Sequence, residues 1–352
     1  MHDASTSGNR ATTRIRETLT IEVMRYALYR EPRPGVQLSE TSKSADHSLL
    51  SVIIPVYNRE TLVARAVRSV INQDLPPGWT MELLVVDDGS TDGTAAVLWD
   101  MQDRYRGMQS RWSGARTLIV LTRERGGTPG GARNFGVLHS RGRLLAFLDS
   151  DDEWLPGKLL RQIPLHEEGA RLSHTRERWM RGDREVSQAG RRFTRYRRAG
   201  DILEDALEKC IIGPSTVMIA RELWEATGGF RPDMEIAEDY EYWLRLVTLT
   251  PVGYVDEPLT VKHAGHGDQL SEKYGQIEPF RLEGLRALVE EQWFARHRDE
   301  TAQALAEREL ARKALIHAGG ARKRGRLQEA EQYEALARRW SPDNFDFPPP
   351  VV

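Results

Sequence analysis

Residues Leu144–Trp154 read LLAFLDSDDEW, an apolar run of strand length that ends in Asp149, Asp151 and Asp152, followed by Trp154 and Pro156. A buried strand that delivers clustered acids at its C-terminal end is a recurrent way for an α/β protein to hold a cation or a metal-bound diphosphate. Three more such runs precede it: LLSVIIPV at 49–56, MELLVVD at 81–87 and TLIVLT at 117–122. Helical patterns lie between them. Leu62, Val63, Ala66, Val67, Val70 and Ile71 recur at helical spacing until Pro76-Pro77-Gly78, residues 92–105 are helical in composition, and the Gly-rich loop 126–131 opens a helix from Ala132 to Ser140. Strands alternating with amphipathic helices predict an α/β fold with a mostly parallel sheet covered by helices on both faces. Such sheets bind ligands at the carboxyl ends of their strands. Asp87, Asp88, Asp149, Asp151 and Asp152 all fall at such ends.

Outward from this centre the signals change. Residues 1–48 read as an extension: a polar start, a short amphipathic helix over 14–30 and a Pro/Ser-rich linker. Beyond the fourth strand, 157–168 is helical, and Arg171–Arg198 carries ten arginines against three acids, with a hairpin turn expected at Gly182-Asp183. That segment suits either a solvated excursion or a surface for an anionic acceptor or lipid headgroups. STVMI at 215–219 reads as a strand, Arg221–Ala226 as a helix closed by Gly228-Gly229, and EDYEYWLRLV at 238–247 as a helix. Tyr254–Val261 reads as a strand with His263, His266 and Ser271 in the loop after it. Residues 276–345 form a helical C-terminal extension, with two antiparallel helices joined at Gly319-Gly320 and Gly325, and 346–352 a tail.

The bulk numbers exclude several classes. A formal net charge of −2 over 352 residues gives no sign of a nucleic-acid binder. The single cysteine, Cys210, permits no internal disulfide and no thiolate cluster, which fits a reducing cytosol. No secretory signal precedes the first strand, and no apolar run approaches the ~20 residues of a membrane helix. Work at a membrane would therefore be from the surface, as peripheral contact of a cytoplasmic protein at the inner face, or through a partner.

Six landmarks taken in order carry a family likeness: SVIIPVYNRE at 51–60, LLVVDDGSTDGT at 83–94, GGARNFGV at 130–137, LLAFLDSDDEWLPGKL at 144–159, GGF at 228–230 and AEDYEYWLRL at 237–246. Together they closely resemble the inverting, nucleotide-sugar-dependent glycosyltransferases of family two, which have the Rossmann-like GT-A fold. The resemblance spans about Leu49 to Ser271. It implies a domain over 49–275, with a nucleotide-sugar-binding half at 49–160 and an acceptor half at 161–275. It also implies transfer of a sugar, with inversion, from a nucleotide-diphospho-sugar to a glycan, lipid-linked or protein acceptor, as in surface polysaccharide or lipopolysaccharide synthesis.

The same resemblance distributes roles among residues whose chemistry suits them. Pro55, Tyr57 and Asn58 would lie against the nucleotide base, Tyr57 offering a flat apolar face; Asn58 would also serve as a plain helix cap. Asp87 or Asp88 would accept hydrogen bonds from base or ribose, although Asp-Gly is also a turn signal by itself. Gly131, Arg133 and Asn134 open a helix over the diphosphate, where backbone N–H groups and a guanidinium fork favour phosphate. Asp149-Ser150-Asp151 is the DxD element, extended by Asp152. Its carboxylates would hold Mn²⁺ or Mg²⁺, with Asp149 also near the donor; whether Asp151 or Asp152 is the direct ligand stays open. His263, or else His266, would complete that site. Asp239 would be the general base, with Glu238 the alternative one residue away.

Two rival readings differ in class. A sugar nucleotidyltransferase would carry a Gly-rich loop with Arg and Lys directly after the first strand, where this chain has PVYNRE. A non-catalytic scaffold would be expected to lose some of the acids, and all are present.

Overall fold

The alternation of apolar residues along each strand sorts side chains onto two faces, and the fold follows from covering both. The structure, a computed structural model, describes residues 48–108, 116–188, 197–265 and 275–340. The expected N-terminal helix and linker, His266, Ser271 and the tail lie outside the described residues.

The first half runs β1 (Leu49–Val56), α1 (Val63–Ile71), β2 (Thr80–Asp87), α2 (Thr94–Met108), β3 (Arg116–Thr122), α3 (Pro129–Leu138), β4 (Leu144–Phe147), the short β5 (Glu153–Trp154) and α4 (Lys158–Glu167). The second half adds β6 (Leu172–Arg181), β7 (Arg184–Val186), α5 (Leu203–Glu208), a 3₁₀ turn at Pro214–Thr216, β8 (Met218–Ala220), α6 (Arg221–Thr227), α7 (Glu238–Leu249) and β9 (Val252–Ala264). Four helices close the described chain: α8 (Glu278–Glu290), α9 (Trp293–His297), α10 (Glu300–Lys323) and α11 (Leu327–Arg339).

The sheet order is β3-β2-β1-β4-β8-β6-β9-β5, with β7 on β6. The β1–β2, β1–β4, β2–β3 and β6–β9 ladders are parallel; β8 runs against β4 and β6, and β5 against β9. Pro55 sits past the last β1–β4 pair, Ile53↔Phe147. Ile53 already takes its partner from that side through Leu148 N–H. Pro55, two residues on, points the same way, so its missing N–H breaks no ladder bond.

Period two then assigns the cores. Val52, Ile54, Leu83, Val85, Leu144 and Ala146 pack with α1, α2 and α4, while Ile53, Val86, Leu145 and Phe147 pack with α3, α5 and α7. Close helix-to-sheet contact on the second face needs Gly136, since a Cβ there would stand 2.5 Å from Ile53 Cγ2. Leu282, Leu285, Leu288, Phe294, Ala306 and Leu310 of the C-terminal helices belong to that same core. The helical extension therefore packs on the sheet domain.

Four local readings change. STVMI is not all strand: Thr216 bonds back to Gly213 O and Ser215 is drawn into the DxD loop, so β8 begins only at Met218. His263 lies in a strand rather than a loop, because β9 follows β6 as far as Arg181↔Ala264. Gly319-Gly320 stays inside α10, at a cost of about 1 kcal/mol per glycine. The reversal falls at Gly325, which has φ 73°. Asn58 caps no helix, since α1 starts after Leu62. The hairpin turn at Gly182-Asp183 forms as expected, closed by Arg181↔Arg184.

Candidate active site

The acids at the end of β4 are held by a residue far away in sequence. Ser215 Oγ accepts from Asp149 N–H at 3.1 Å and donates to Asp152 Oδ2 at 2.6 Å. Ser215 is fixed in turn through its carbonyl, which accepts from Trp154 Nε1 (2.7 Å) and Thr260 Oγ1 (3.2 Å). Asp152 Oδ1 accepts from His263 N–H at 3.3 Å. Both Asp152 oxygens thus have protein donors, and only 2% of the residue is exposed. Burial pushes its carboxyl well above the usual range, with Lys262 pulling it back and Asp149 and Asp151 adding to the rise. Asp149 and Asp151 are only partly buried. The loop between them is braced by Arg65, whose Nη2 donates to Asp151 O at 2.7 Å and whose Nε lies 3.6 Å from Glu153 Oε2. The His263 ring comes beside this loop, with Nε2 3.9 Å from Glu153 Oε2.

Arg133 does not lie open to phosphate. Its guanidinium is buried, with Nη2 donating to Asp149 Oδ1 at 2.7 Å and Nη1 to Glu238 Oε1 at 2.6 Å. Burial opposes its charge, but Asp149 and Glu238 outweigh it and raise its pKa above the ordinary arginine value. Glu238 is 5% exposed, and burial pushes its carboxyl up to about 7, against the pull of Arg133 and with help from Asp239. The next residue, Asp239, is half-buried. Asp239 Oδ1 accepts from Tyr240 N–H at 2.7 Å, and its Oδ2 accepts from the Cys210 thiol at 3.8 Å. Burial and Asp239 keep that thiol protonated. Lys262 stands among these groups: Glu177 first, then Asp152, Asp149 and Asp239, hold its ammonium charged despite burial.

A second group forms where β1 and β2 end. Asp87 Oδ1 accepts from Ser90 N–H at 2.9 Å. Asp88 is committed to the loop before α3, accepting from Gly126 N–H (2.9 Å) and Gly127 N–H (3.1 Å) and pairing with Arg123 Nε at 2.8 Å. The Arg125 guanidinium covers the Tyr57 ring at 3.2 Å. Asn58 is spent on the neighbouring turn through Thr91. Asn134 clasps the backbone of Phe230 by both amide atoms (2.7 and 3.0 Å). Gly131 N–H meets the capping Thr128 Oγ1, and Arg123 donates to Gly131 O.

The structure therefore brings Asp149, Asp151, Asp152, Arg133, Glu238, Asp239 and His263 into one cluster linked through Arg133, Ser215 and Lys262, and places Tyr57, Asp87 and Asp88 at the ends of β1 and β2. Ser215, Lys262, Arg65, Cys210 and Arg125 were not singled out from sequence. Arg125 alone had a local signal, as a cation in the Gly-rich loop. Among the described residues no three His, Cys, Asp or Glu side chains converge as a metal cage. Hard oxygens from one or two carboxylates suit a divalent ion whose other ligands are water and diphosphate oxygens. Asp149, with one oxygen on Arg133, and Asp151 are the partly exposed acids of the DxD loop that could offer such oxygens.

The sequence profile described as "Glycosyl transferase family 2" matches residues 51–225. The chain is 34% identical to the putative teichuronic acid biosynthesis glycosyltransferase TuaG of Bacillus subtilis, over 56% of this chain and 72% of that one. It is 32% identical to the UDP-Glc:alpha-D-GlcNAc-diphosphoundecaprenol beta-1,3-glucosyltransferase WfgD of Escherichia coli, over 57% of this chain and 71% of that one. S. aureus TarS 1-349, solved with UDP-GlcNAc, shares the fold with a TM-score of 0.56 at 18% identity, covering 84% of this chain and 93% of that one. The mannosyltransferase PcManGT of Pyrobaculum calidifontis, solved with GDP-Man and Mn²⁺, gives 0.53 at 19% identity, covering 92% and 84%. With a GT-A-type sheet, the acidic strand end and relatives matched over more than two thirds of their length, the chain belongs to glycosyl transferase family 2.

Proposed function

We propose that this glycosyltransferase moves a sugar from a nucleoside-diphospho-sugar to a hydroxyl of a surface glycan in one inverting displacement. The observation that carries this reading is the sorting within each acidic group. Asp152 and Glu238 are buried, whereas Asp149, Asp151 and Asp239 of the same cluster remain partly exposed.

The donor base lies at the ends of β1 and β2, near Tyr57 under Arg125 and beside the buried Asp87. Asp149 and Asp151 would hold Mn²⁺ or Mg²⁺, with His263 beside them. When bound, that ion neutralises charge growing on the departing diphosphate, an effect worth several kcal/mol. Asp239 takes the proton of the acceptor hydroxyl. The acceptor oxygen bonds to the anomeric carbon as the bond from that carbon to the phosphate oxygen breaks, and the electron pair leaves with the diphosphate. The Cys210 thiol on Asp239 Oδ2 and the Tyr240 N–H on Oδ1 aim that carboxylate.

The substrate in WfgD's name supports an acceptor carried on a lipid diphosphate, in the compartment that holds nucleotide sugars. Among the described residues no helix is long and apolar enough to cross a membrane. The hairpin tip with Arg181 and Arg184 would supply peripheral contact with anionic headgroups. A donor panel of UDP- and GDP-sugars, assayed for transfer and hydrolysis with Mn²⁺ or Mg²⁺, tests the reading. Turnover of one donor that ceases with chelator is expected. Full activity in excess chelator would sink the metal role, and no turnover of any nucleotide sugar would sink the reading.

A further inference from the structure

We propose that Arg133 is a positioning residue: its guanidinium fork locks the donor-side carboxylate Asp149 and the first turn of α7 into one fixed relation, and it is not itself a phosphate ligand. This rests on the reading of Asp149 and Asp239 given above.

The fork has one arm in each half of the site, 2.7 Å to Asp149 Oδ1 and 2.6 Å to Glu238 Oε1. Arg133 is 3% exposed, so a diphosphate cannot reach it without breaking both bonds. The Phe230 ring lies 5.2 Å away beneath it, and Phe230 is itself fixed by Asn134. The two helix starts also touch, since a Cβ on Gly130 would stand 2.9 Å from Glu238 Cγ.

The start of α7 needs such a hold. Ala237, before it, sits in the left-handed region at φ 63°, and no side chain caps the helix. A non-glycine residue there persists only where its surroundings over-determine it. Arg133 fixes Glu238, and the adjacent residue is Asp239. On the other arm Arg133 occupies one oxygen of Asp149, a residue that stays partly exposed. Two donors in one rigid plane can serve both acids; a lysine ammonium at this position cannot.

The test compares Arg133→Lys, Glu238→Gln and the double variant by calorimetric affinity for UDP or GDP with Mn²⁺, whichever the wild type binds, and by kcat of transfer. Partners that orient metal ligands typically contribute 10–100-fold, so Arg133→Lys should weaken nucleotide·Mn²⁺ affinity about tenfold. It should also lower kcat about a hundredfold, the effect of a misplaced reacting group. Glu238→Gln loosens only the α7 arm: kcat should fall about tenfold with nucleotide affinity unchanged. Because both act through one strut, the double variant should be no worse than Arg133→Lys alone. Wild-type affinity and kcat in Arg133→Lys, or losses that multiply in the double variant, would overturn the proposal. If Arg133→Lys does not fold, Glu238→Gln decides, since wild-type kcat there refutes the strut. Wild-type transfer by Asp239→Asn would instead refute the base assignment, and the affinity arm would still judge Arg133 against Asp149.

Discussion

Replacing Glu238 with glutamine should flatten the pH dependence of stability between about pH 5 and pH 8. Glu238 is buried against Arg133, and its carboxyl is pushed up from 4.5 to about 7, by burial first. A carboxyl raised in the folded state binds more protons there than in the unfolded chain. Its contribution is therefore fully present below pH 4.5 and is lost as pH rises through about 7. Each tenfold change in proton affinity corresponds to about 1.4 kcal/mol, so the full contribution is about 3 kcal/mol. Some of it is already gone at pH 5, leaving a loss of about 2–3 kcal/mol on going to pH 8. Glutamine cannot ionise, and its amide oxygen gives Arg133 Nη1 only a weaker, neutral acceptor in place of the charge-assisted bond. The assay is urea unfolding of both proteins at the two pH values. The wild type should lose about 2–3 kcal/mol more than Glu238→Gln, other titrating groups cancelling in the comparison. Parallel losses would refute the burial-driven rise.

Other outcomes follow from the same contacts. Ser215→Ala should destabilise the protein by about 1–3 kcal/mol, because Asp152 Oδ2 loses its donor inside the core, as a denaturation midpoint will show. The same variant should weaken nucleotide·Mn²⁺ affinity, since Asp149 N–H loses its anchor. Gly136→Ala should lower stability by about 1–3 kcal/mol through overpacking against Ile53, and thermal unfolding at wild-type Tm would contradict that contact. Arg125→Ala should weaken nucleotide affinity while leaving the unfolding midpoint nearly unchanged, because the residue is exposed, covers the Tyr57 ring and pairs with Asp88 only at 3.4 Å, where Arg123, Gly126 and Gly127 still hold that carboxylate.

Much of the fold was legible because it is written locally. The period-two runs of β1, β2 and β4 sort their side chains onto two cores, and the helices between them leave only a parallel order. The acids of LLAFLDSDDEW and AEDYEYW fall where the end of β4 and the start of α7 meet at Arg133. What sequence could not assign was which carboxylate faces inward. Asp152 is turned by Ser215, 63 positions away, and Glu238 by Arg133, 105 positions away. Such partners are chosen by tertiary packing and leave no mark on spacing. Arg133 illustrates the point: a guanidinium at a Gly-rich helix start suits a phosphate by its chemistry, yet Asp149 and the buried Glu238 occupy it. By sequence the strand ends at Val261 and His263 falls in the loop after it, but cross-strand pairing with β6 carries the strand through it. The turn at Gly213–Thr216 escaped notice because Thr and Val favour strands by propensity. The side-chain bond from Thr216 to Gly213 O overrides that preference.

The most direct test of the catalytic assignment is Asp239→Asn, assayed for transfer with the donor and acceptor on which the wild type turns over, alongside nucleotide·Mn²⁺ affinity. Asparagine fits the same space but cannot take the acceptor proton. The expected result is a fall in kcat of about 10²–10⁴-fold with nucleotide affinity unchanged. Transfer at the wild-type rate would contradict the assignment of Asp239 as the base.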